Sequence, residues 1–265
     1  MSNYVISDVH GQYKTYRKML KKIALKSEDT LFVLGDVIDR GNEGLKILFD
    51  LMKRPNVVLL LGNHELLMMN ALRNFYEIEF KDRHDTDDID LWLDPCNGGE
   101  STYEEYLNLP EEQRIEVIAY LESSWIVKKV NINNKTFHLS HAYTCKRRFQ
   151  DGLKYAQLPK EEVWDVVWNN IYDRTFLEEN GDKLYPNKKN IYISGHTYTQ
   201  RLDCVDEEGR GLIYHNTNYH GYNVYNIDCG MALKNKSSQL GCLRLDDGKA
   251  FYVPLEGGTK KKNKE

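Results

Sequence analysis

Three apolar runs in the first quarter of the chain end alike, and that repeat constrains the fold more than any other feature. Tyr4-Val5-Ile6 leads into Ser7-Asp8-Val9-His10-Gly11. Leu31-Phe32-Val33-Leu34 leads into Gly35-Asp36-Val37-Ile38-Asp39-Arg40-Gly41, and Val57 to Leu61 lead into Gly62-Asn63-His64-Glu65. Runs that are apolar throughout, rather than alternating, predict strands buried on both faces, in a parallel sheet covered by helices. Asp8 and Asp36 lie 28 residues apart, and Asp36 and Asn63 lie 27 apart. Both intervals fit a strand–helix–strand unit of about 30 residues. Tyr13, Tyr16, Leu20 and Ile23 recur at helical spacing between the first two runs. A second helix should carry Leu45, Leu48 and Met52 on one face, with Asn42 as its N-cap and Pro55 beyond its end.

Regularity then breaks. Residues 74–98 are acidic and run into a turn marked by Pro95 and the Gly98-Gly99 pair. They read either as a solvated connector or as a flap beside a site. Helices are expected near Thr102–Leu107, Glu111–Glu122 and Glu161–Ile171, with a hairpin formed by 125–132 and 136–141. Further strands at 190–196, 211–216, 223–230, 240–247 and 250–255 give the C-terminal half an antiparallel leaning. A single domain over 1–255 is expected, with the lysine-rich 256–265 as a disordered tail.

Composition excludes several classes. A net charge of −4 and a pI near 6.1 argue against a broad nucleic-acid-binding surface. No apolar stretch approaches the length of a membrane span, and the N-terminus shows no secretory signal. The five cysteines are scattered and form no Cys-x-x-Cys pair, which points to reduced thiols and a cytoplasmic location.

The residues after the apolar runs carry the chemistry. Carboxyl ends of neighbouring strands in an open α/β sheet converge on one crevice. Asp8, His10, Asp36, Asp39, Arg40, Asn63 and His64 should meet there, joined by His141 and His196 from the ends of two later strands. Carboxylate, imidazole and amide oxygen together suit Mn, Fe or Zn better than a purely oxygen-binding ion. Glu65 reads as a helix-start or supporting residue, and His138 as a core or surface histidine. His84 reads as solvated, and His215 and His220 could line a substrate groove.

The segments SDVHG, GDVIDRG, GNHE, SHA and GHT resemble those of the calcineurin-like metallophosphoesterases, and more closely the bacterial Ser/Thr phosphoprotein phosphatases among them. The segments NGGESTYEEY and NIDCGMALKNKSSQLGCLRL extend the likeness over about residues 4–245. The resemblance implies a β-sandwich of mixed sheets flanked by helices. It also implies one divalent ion held by Asp8, His10 and Asp36, and a second held by Asp36, Asn63, His141 and His196, with Asp36 as the bridge. A hydroxide between two such cations, about 3.5–4 Å apart, would attack phosphorus in line. Arg40 would clamp the phosphoryl oxygens, His64 would protonate the leaving alkoxide, and Asp39 would orient that imidazole. Nuclease and cyclic-phosphodiesterase branches usually have a histidine where this chain has Tyr198, which favours the phosphoprotein side. A second phosphate-binding arginine is often found after a tryptophan in this interval. Here Trp168 is followed by two asparagines, leaving Arg174 or Asn170 for that contact, with Arg147 and Arg148 as further candidates. The expected substrate is a phosphorylated protein or a small phosphoester, the alternative being a dinucleoside polyphosphate such as diadenosine tetraphosphate. An inactive binding scaffold is disfavoured, since all six ligand positions are filled.

Overall fold

The computed structural model describes residues 1–77, 86–142, 152–173, 175, 177–178, 184–185 and 187–256. Its first sheet contains β1 (Asn3–Ile6), β2 (Thr30–Val33), β3 (Val57–Leu59), β10 (Gln239–Arg244) and β11 (Ala250–Pro254), in the order β11-β10-β1-β2-β3. The β1, β2 and β3 strands run parallel, as their spacing predicts. The C-terminal strands β10 and β11 extend the sheet antiparallel from β1. The second sheet runs β6-β4-β5-β7-β9-β8, built from β4 (Trp125–Ile132), β5 (Lys135–Ser140), β6 (Leu153–Lys154), β7 (Ile191–Ser194), β8 (Tyr214–Tyr219) and β9 (Tyr222–Asn226). The β4–β5 hairpin is antiparallel, whereas β7 pairs in parallel with both β5 and β9.

The double burial of the first strands has a different cover from the one their composition predicts. Val5, Phe32, Leu34, Leu60 and Leu243 face Phe137, Leu139, Ile193 and Ile227 in a core between the sheets. The alternate residues Tyr4, Ile6, Leu31, Val33 and Leu59 pack in the larger core with helical residues including Tyr16, Met19, Leu48 and Leu67. One face is therefore covered by helices and the other by a second sheet, giving the mixed-sheet sandwich that the resemblance implies. Tyr16 and Met19 lie on α1 (Tyr13–Lys22), Leu48 on α2 (Gly44–Met52) and Leu67 on α3 (Asn63–Glu77). The expected Asn42 cap is displaced: Glu43 is the N-cap residue of α2 and forms no side-chain capping bond.

Within 74–98, residues 86–93 form α4 (Thr86–Leu93), while 78–85 lie outside the described residues. Trp92 on α4 is fully buried, so this part is anchored to the core rather than wholly solvated. Helices α5 (Glu100–Leu107), α6 (Glu111–Glu122) and α7 (Lys160–Trp168) lie close to their expected positions. Among the described residues no helix is long and apolar enough to cross a membrane.

Candidate functional site

The ends of β1, β2, β3, β5 and β7 converge through backbone turns of an uncommon kind. Asp8, His10, Asp36, Asp39, Arg40 and His196 all have left-handed backbone, with φ between 47° and 68°. Such conformations cost about 1–3 kcal/mol for a residue with a Cβ, although Asp and His tolerate them better than most. The turns are tied to one another. His10 N–H donates to Asp36 O at 2.9 Å, and Gly11 N–H donates to Val37 O at 2.8 Å. Glu65 accepts from Asp36 N–H and Val37 N–H at 2.8 Å and from Gly62 N–H at 2.9 Å, so it braces the Asp36 turn. At Gly195 an added Cβ would stand 2.1 Å from Asp8 Oδ2, and at Gly62 the same distance from Asp36 Oδ1. Glycine is required there because the carboxylates occupy the space.

Two clusters share Asp36. In one, His141 Nε2 lies 3.4 Å from Asp36 Oδ2, 3.0 Å from Asn63 Oδ1 and 3.2 Å from His196 Nδ1. His196 Nδ1 is also 3.0 Å from Asn63 Oδ1. His141 Nδ1 donates to Leu34 O, and the His196 ring is hydrogen-bonded to the Trp168 backbone. Once His141 gives up its proton, the facing nitrogens of the two rings present lone pairs beside two oxygen acceptors. A convergence of acceptors needs a cation, and separations of 3.0–3.4 Å suit donors on one ion at about 2.0–2.1 Å. In the other cluster His10 Nε2 and His64 Nε2 lie 3.8 and 3.9 Å from Asp36 Oδ2. The residues fit divalent metal ions, and the mixed nitrogen and oxygen donors match the transition-metal class. His64, expected as an acid, thus joins His10 and Asp36 in the three-residue group. Asp8 lies beside these clusters and accepts His196 N–H at 3.1–3.2 Å.

Charges within the site alternate. Burial resists ionisation of Asp36, but His141, His64 and His10 hold its carboxyl well below the usual range. Burial likewise opposes protonation of His141, yet Asp36 and Asp8 bring its pKa up to about 10. Burial and the neighbouring His141 push His196 down to about 3, and burial and His64 depress His10. Burial, aided by Asp36 and opposed by His141, lifts Asp8 to about 7.

The three residues expected to carry the catalysis also come together. His64 Nδ1 lies 2.8 Å from Asp39 Oδ2, and Arg40 Nη2 donates to His64 Nε2 at 3.2 Å. Burial works against the protonated imidazole of His64, but Asp36 and Asp39 outweigh it and raise the pKa. Asp39 is held in turn by residues that its motif does not indicate. Trp92 Nε1 donates to its Oδ2 at 2.9 Å, and Thr102 Oγ1 accepts its N–H at 3.0 Å.

A cavity of about 880 Å³ opens over these groups, lined among others by Trp168, Asn170, Tyr172, Tyr198, Arg201 and Asp228. Asn170 is thus at the site, while Arg174, Arg147, Arg148 and His84 lie outside the described residues. His138 is buried against Tyr192, and exposed His215 stacks on Tyr225. Neither His215 nor His220 lines this cavity. Asp228 is almost fully buried and lies two residues beyond β9, where the sequence marks it only as one more acid.

Known proteins place the chain accordingly. It is 26% identical over 181 residues to the symmetrical bis(5'-nucleosyl)-tetraphosphatase of Buchnera aphidicola subsp. Acyrthosiphon pisum, covering 62% of each chain. The matched part thus spans less than two thirds of that curated relative. It is also 26% identical over 195 residues to serine/threonine-protein phosphatase 2 of Escherichia coli, covering 73% of this chain and 78% of the relative. The crystal structure of a metallophosphoesterase from Sphaerobacter thermophilus has the same fold, with a TM-score of 0.53 at 16% identity, over 97% of this chain and 89% of that one. The profile of the calcineurin-like phosphoesterases matches residues 1–225, and the chain belongs to that family.

Proposed function

We propose that the chain is a metal-dependent phosphomonoesterase acting on phosphoserine and phosphothreonine in proteins. The observation that carries this reading is the Asp39–His64–Arg40 array set against the shared Asp36 carboxylate at the floor of the cavity. Two divalent cations, Mn or alternatively Fe or Zn, would be held by Asp8, His10, Asp36, Asn63, His141 and His196, where they would neutralise phosphoryl charge and acidify the attacking water.

The chain's own groups do the rest. Arg40 offers a planar pair of donors that matches phosphoryl oxygens. In the free site one of its nitrogens donates to His64 Nε2. Substrate phosphate would draw Arg40 away, freeing His64 Nε2 to hold a proton for the departing alkoxide. Asp39 keeps Nδ1 protonated and steadies the imidazolium, and the elevated pKa of His64 favours the acid form. The free thiols of Cys96, Cys204, Cys229 and Cys242 support a reducing, cytoplasmic setting.

The second reading is hydrolysis of a dinucleoside polyphosphate, such as diadenosine tetraphosphate. It is favoured by the aromatic surfaces of Trp168, Tyr172 and Tyr198 in a cavity large enough for a nucleoside. The test is turnover of phosphoserine and phosphothreonine peptides against diadenosine tetraphosphate by the Mn-loaded protein, with p-nitrophenyl phosphate as reference. Cleavage of the peptides supports the first reading, and cleavage of the dinucleotide alone overturns it.

A further inference from the structure

Beyond Arg40, Arg201 is the one arginine among the described residues lining the cavity, and the surrounding fold builds a mount for it. Tyr198 precedes a short 3-10 turn, Thr199–Arg201, closed by Arg201 N–H donating to Tyr198 O at 2.9 Å. Side chains three residues apart in such a turn lie one above the other. The Arg201 guanidinium accordingly stands 4.8 Å over the Tyr198 ring, within range for a cation–π contact. The turn is anchored below. Thr199 is fully buried, its N–H donates to Asp228 O at 3.0 Å, and its Oγ1 accepts Gly211 N–H at 3.0 Å. Leu202 is buried immediately after it.

Tyr198 also feels Arg40. The charges of both Arg201 and Arg40 act on its phenol, and both arginines line the same cavity as the ring. Among the described residues Arg201 forms no ion pair, so its charge is available to the cavity. The cavity itself is of the size that takes a whole small molecule rather than one phosphate group. Asp173 and Asp203 share the lining, so it carries no general excess of positive charge that would hold any polyanion. Its arginine charge stands at two points, Arg40 and Arg201, the latter mounted on Tyr198.

We propose that Arg201, mounted on Tyr198, is a specificity-determining residue that binds a second anionic group of the substrate next to the phosphate held by Arg40. This rests on the reading of Arg40 as the phosphate clamp. The second anion has two sources with the same chemistry: an adjoining phosphate in a phosphoanhydride, or an acidic side chain beside a phosphorylated residue.

The experiment compares wild type, Arg201→Ala, Arg201→Lys and Tyr198→Ala, all Mn-loaded, on four substrates. These are p-nitrophenyl phosphate, a phosphothreonine peptide with Asp following, the same peptide with Ala there, and diadenosine tetraphosphate. For Arg201→Ala the expected result is a KM rise at least tenfold larger for a two-anion substrate than for p-nitrophenyl phosphate, with the larger change in KM rather than kcat. Arg201→Lys should restore part of the loss, and Tyr198→Ala should reproduce it. A loss confined to the Asp-containing peptide identifies the acidic side chain; a loss confined to the dinucleotide identifies the phosphoanhydride. Equal losses on all four substrates, or none, overturn the proposal.

A binding arm keeps this separate from the proposed activity. Calorimetric titration in excess Mn should show methylenediphosphonate losing at least tenfold more affinity than methylphosphonate in Arg201→Ala. If wild type cleaves no phosphoester, the proposed function fails, yet this comparison still reads the role of Arg201. Equal losses for the two phosphonates overturn that role even in an active enzyme.

Discussion

Replacing Trp92 with phenylalanine removes one of two side-chain donors from a fully enclosed carboxylate of the site. Asp39 is fully buried, its Oδ1 has no hydrogen-bond partner, and its Oδ2 serves both His64 Nδ1 and Trp92 Nε1. A hydrogen bond to a charged group is worth about 1.5–3 kcal/mol net, and a buried carboxylate short of a donor bears most of that loss. For a chain of this size each kcal/mol lowers Tm by about 2–4 °C, so Trp92→Phe should melt roughly 3–12 °C earlier. The looser Asp39 should hold the His64 imidazole less well. Turnover of p-nitrophenyl phosphate should then fall about tenfold or more, towards the range for loss of an oriented acid. Metal content should stay at the wild-type level, because Trp92 touches none of the ligand atoms in the two clusters. The assay is a melting curve, a metal analysis and kcat on the same preparation. A lower Tm with unchanged kcat would reduce Trp92 to packing, and no change in either would refute the role given to its indole N–H.

Asp36→Asn should lower the content of both metals together, because Asp36 Oδ2 is common to the His10/His64 and His141/His196 clusters; metal analysis showing loss of only one would contradict the bridge. Gly195→Ala would press a Cβ to 2.1 Å from Asp8 Oδ2 and 2.2 Å from Ser7 Oγ, so metal content should fall while circular dichroism stays near native; full loading would show that Asp8 is not needed in place. Mn affinity should rise with pH. Below about 10 the metal-free site holds a proton on His141, and below about 7 a further one on Asp8, and a cation must displace both. Calorimetry should therefore show a gain of about tenfold per pH unit per displaced proton, steeper below pH 7 than above it, and a flat profile would refute this assignment.

Much of the site was legible because its candidate ligands follow strands whose apolar runs and regular spacing mark them. Asp8, His10, Asp36, Asn63 and His64 needed only the rule that strand ends converge. The partners of those strands were less visible. β10 joins β1 across some 240 residues of chain, with Tyr4 opposite Arg244, and no local pattern announces such a pairing. Nor does the sequence show that the inner face of β1–β3 meets a second sheet, because burial by a strand and burial by a helix select the same side chains. Trp92 was hidden for a different reason. It lies on a helix of eight residues, Thr-Asp-Asp-Ile-Asp-Leu-Trp-Leu, whose acids read as solvated loop, and its indole N–H reaches a residue 53 positions away. Arg201 escaped notice because its use depends on a turn that aligns it with Tyr198.

The left-handed backbone at six of the candidate-site positions bears on how this protein should be dissected. Alanine scanning at Asp8, His10, Asp36, Asp39, Arg40 or His196 would change two things at once, deleting a functional group and seating a residue poorly suited to that curvature. Part of any deficit would then belong to the bend and be misattributed to chemistry. Asparagine tolerates that bend and glycine adopts it freely, so the difference between the alanine and glycine variants at one position measures the conformational share on its own.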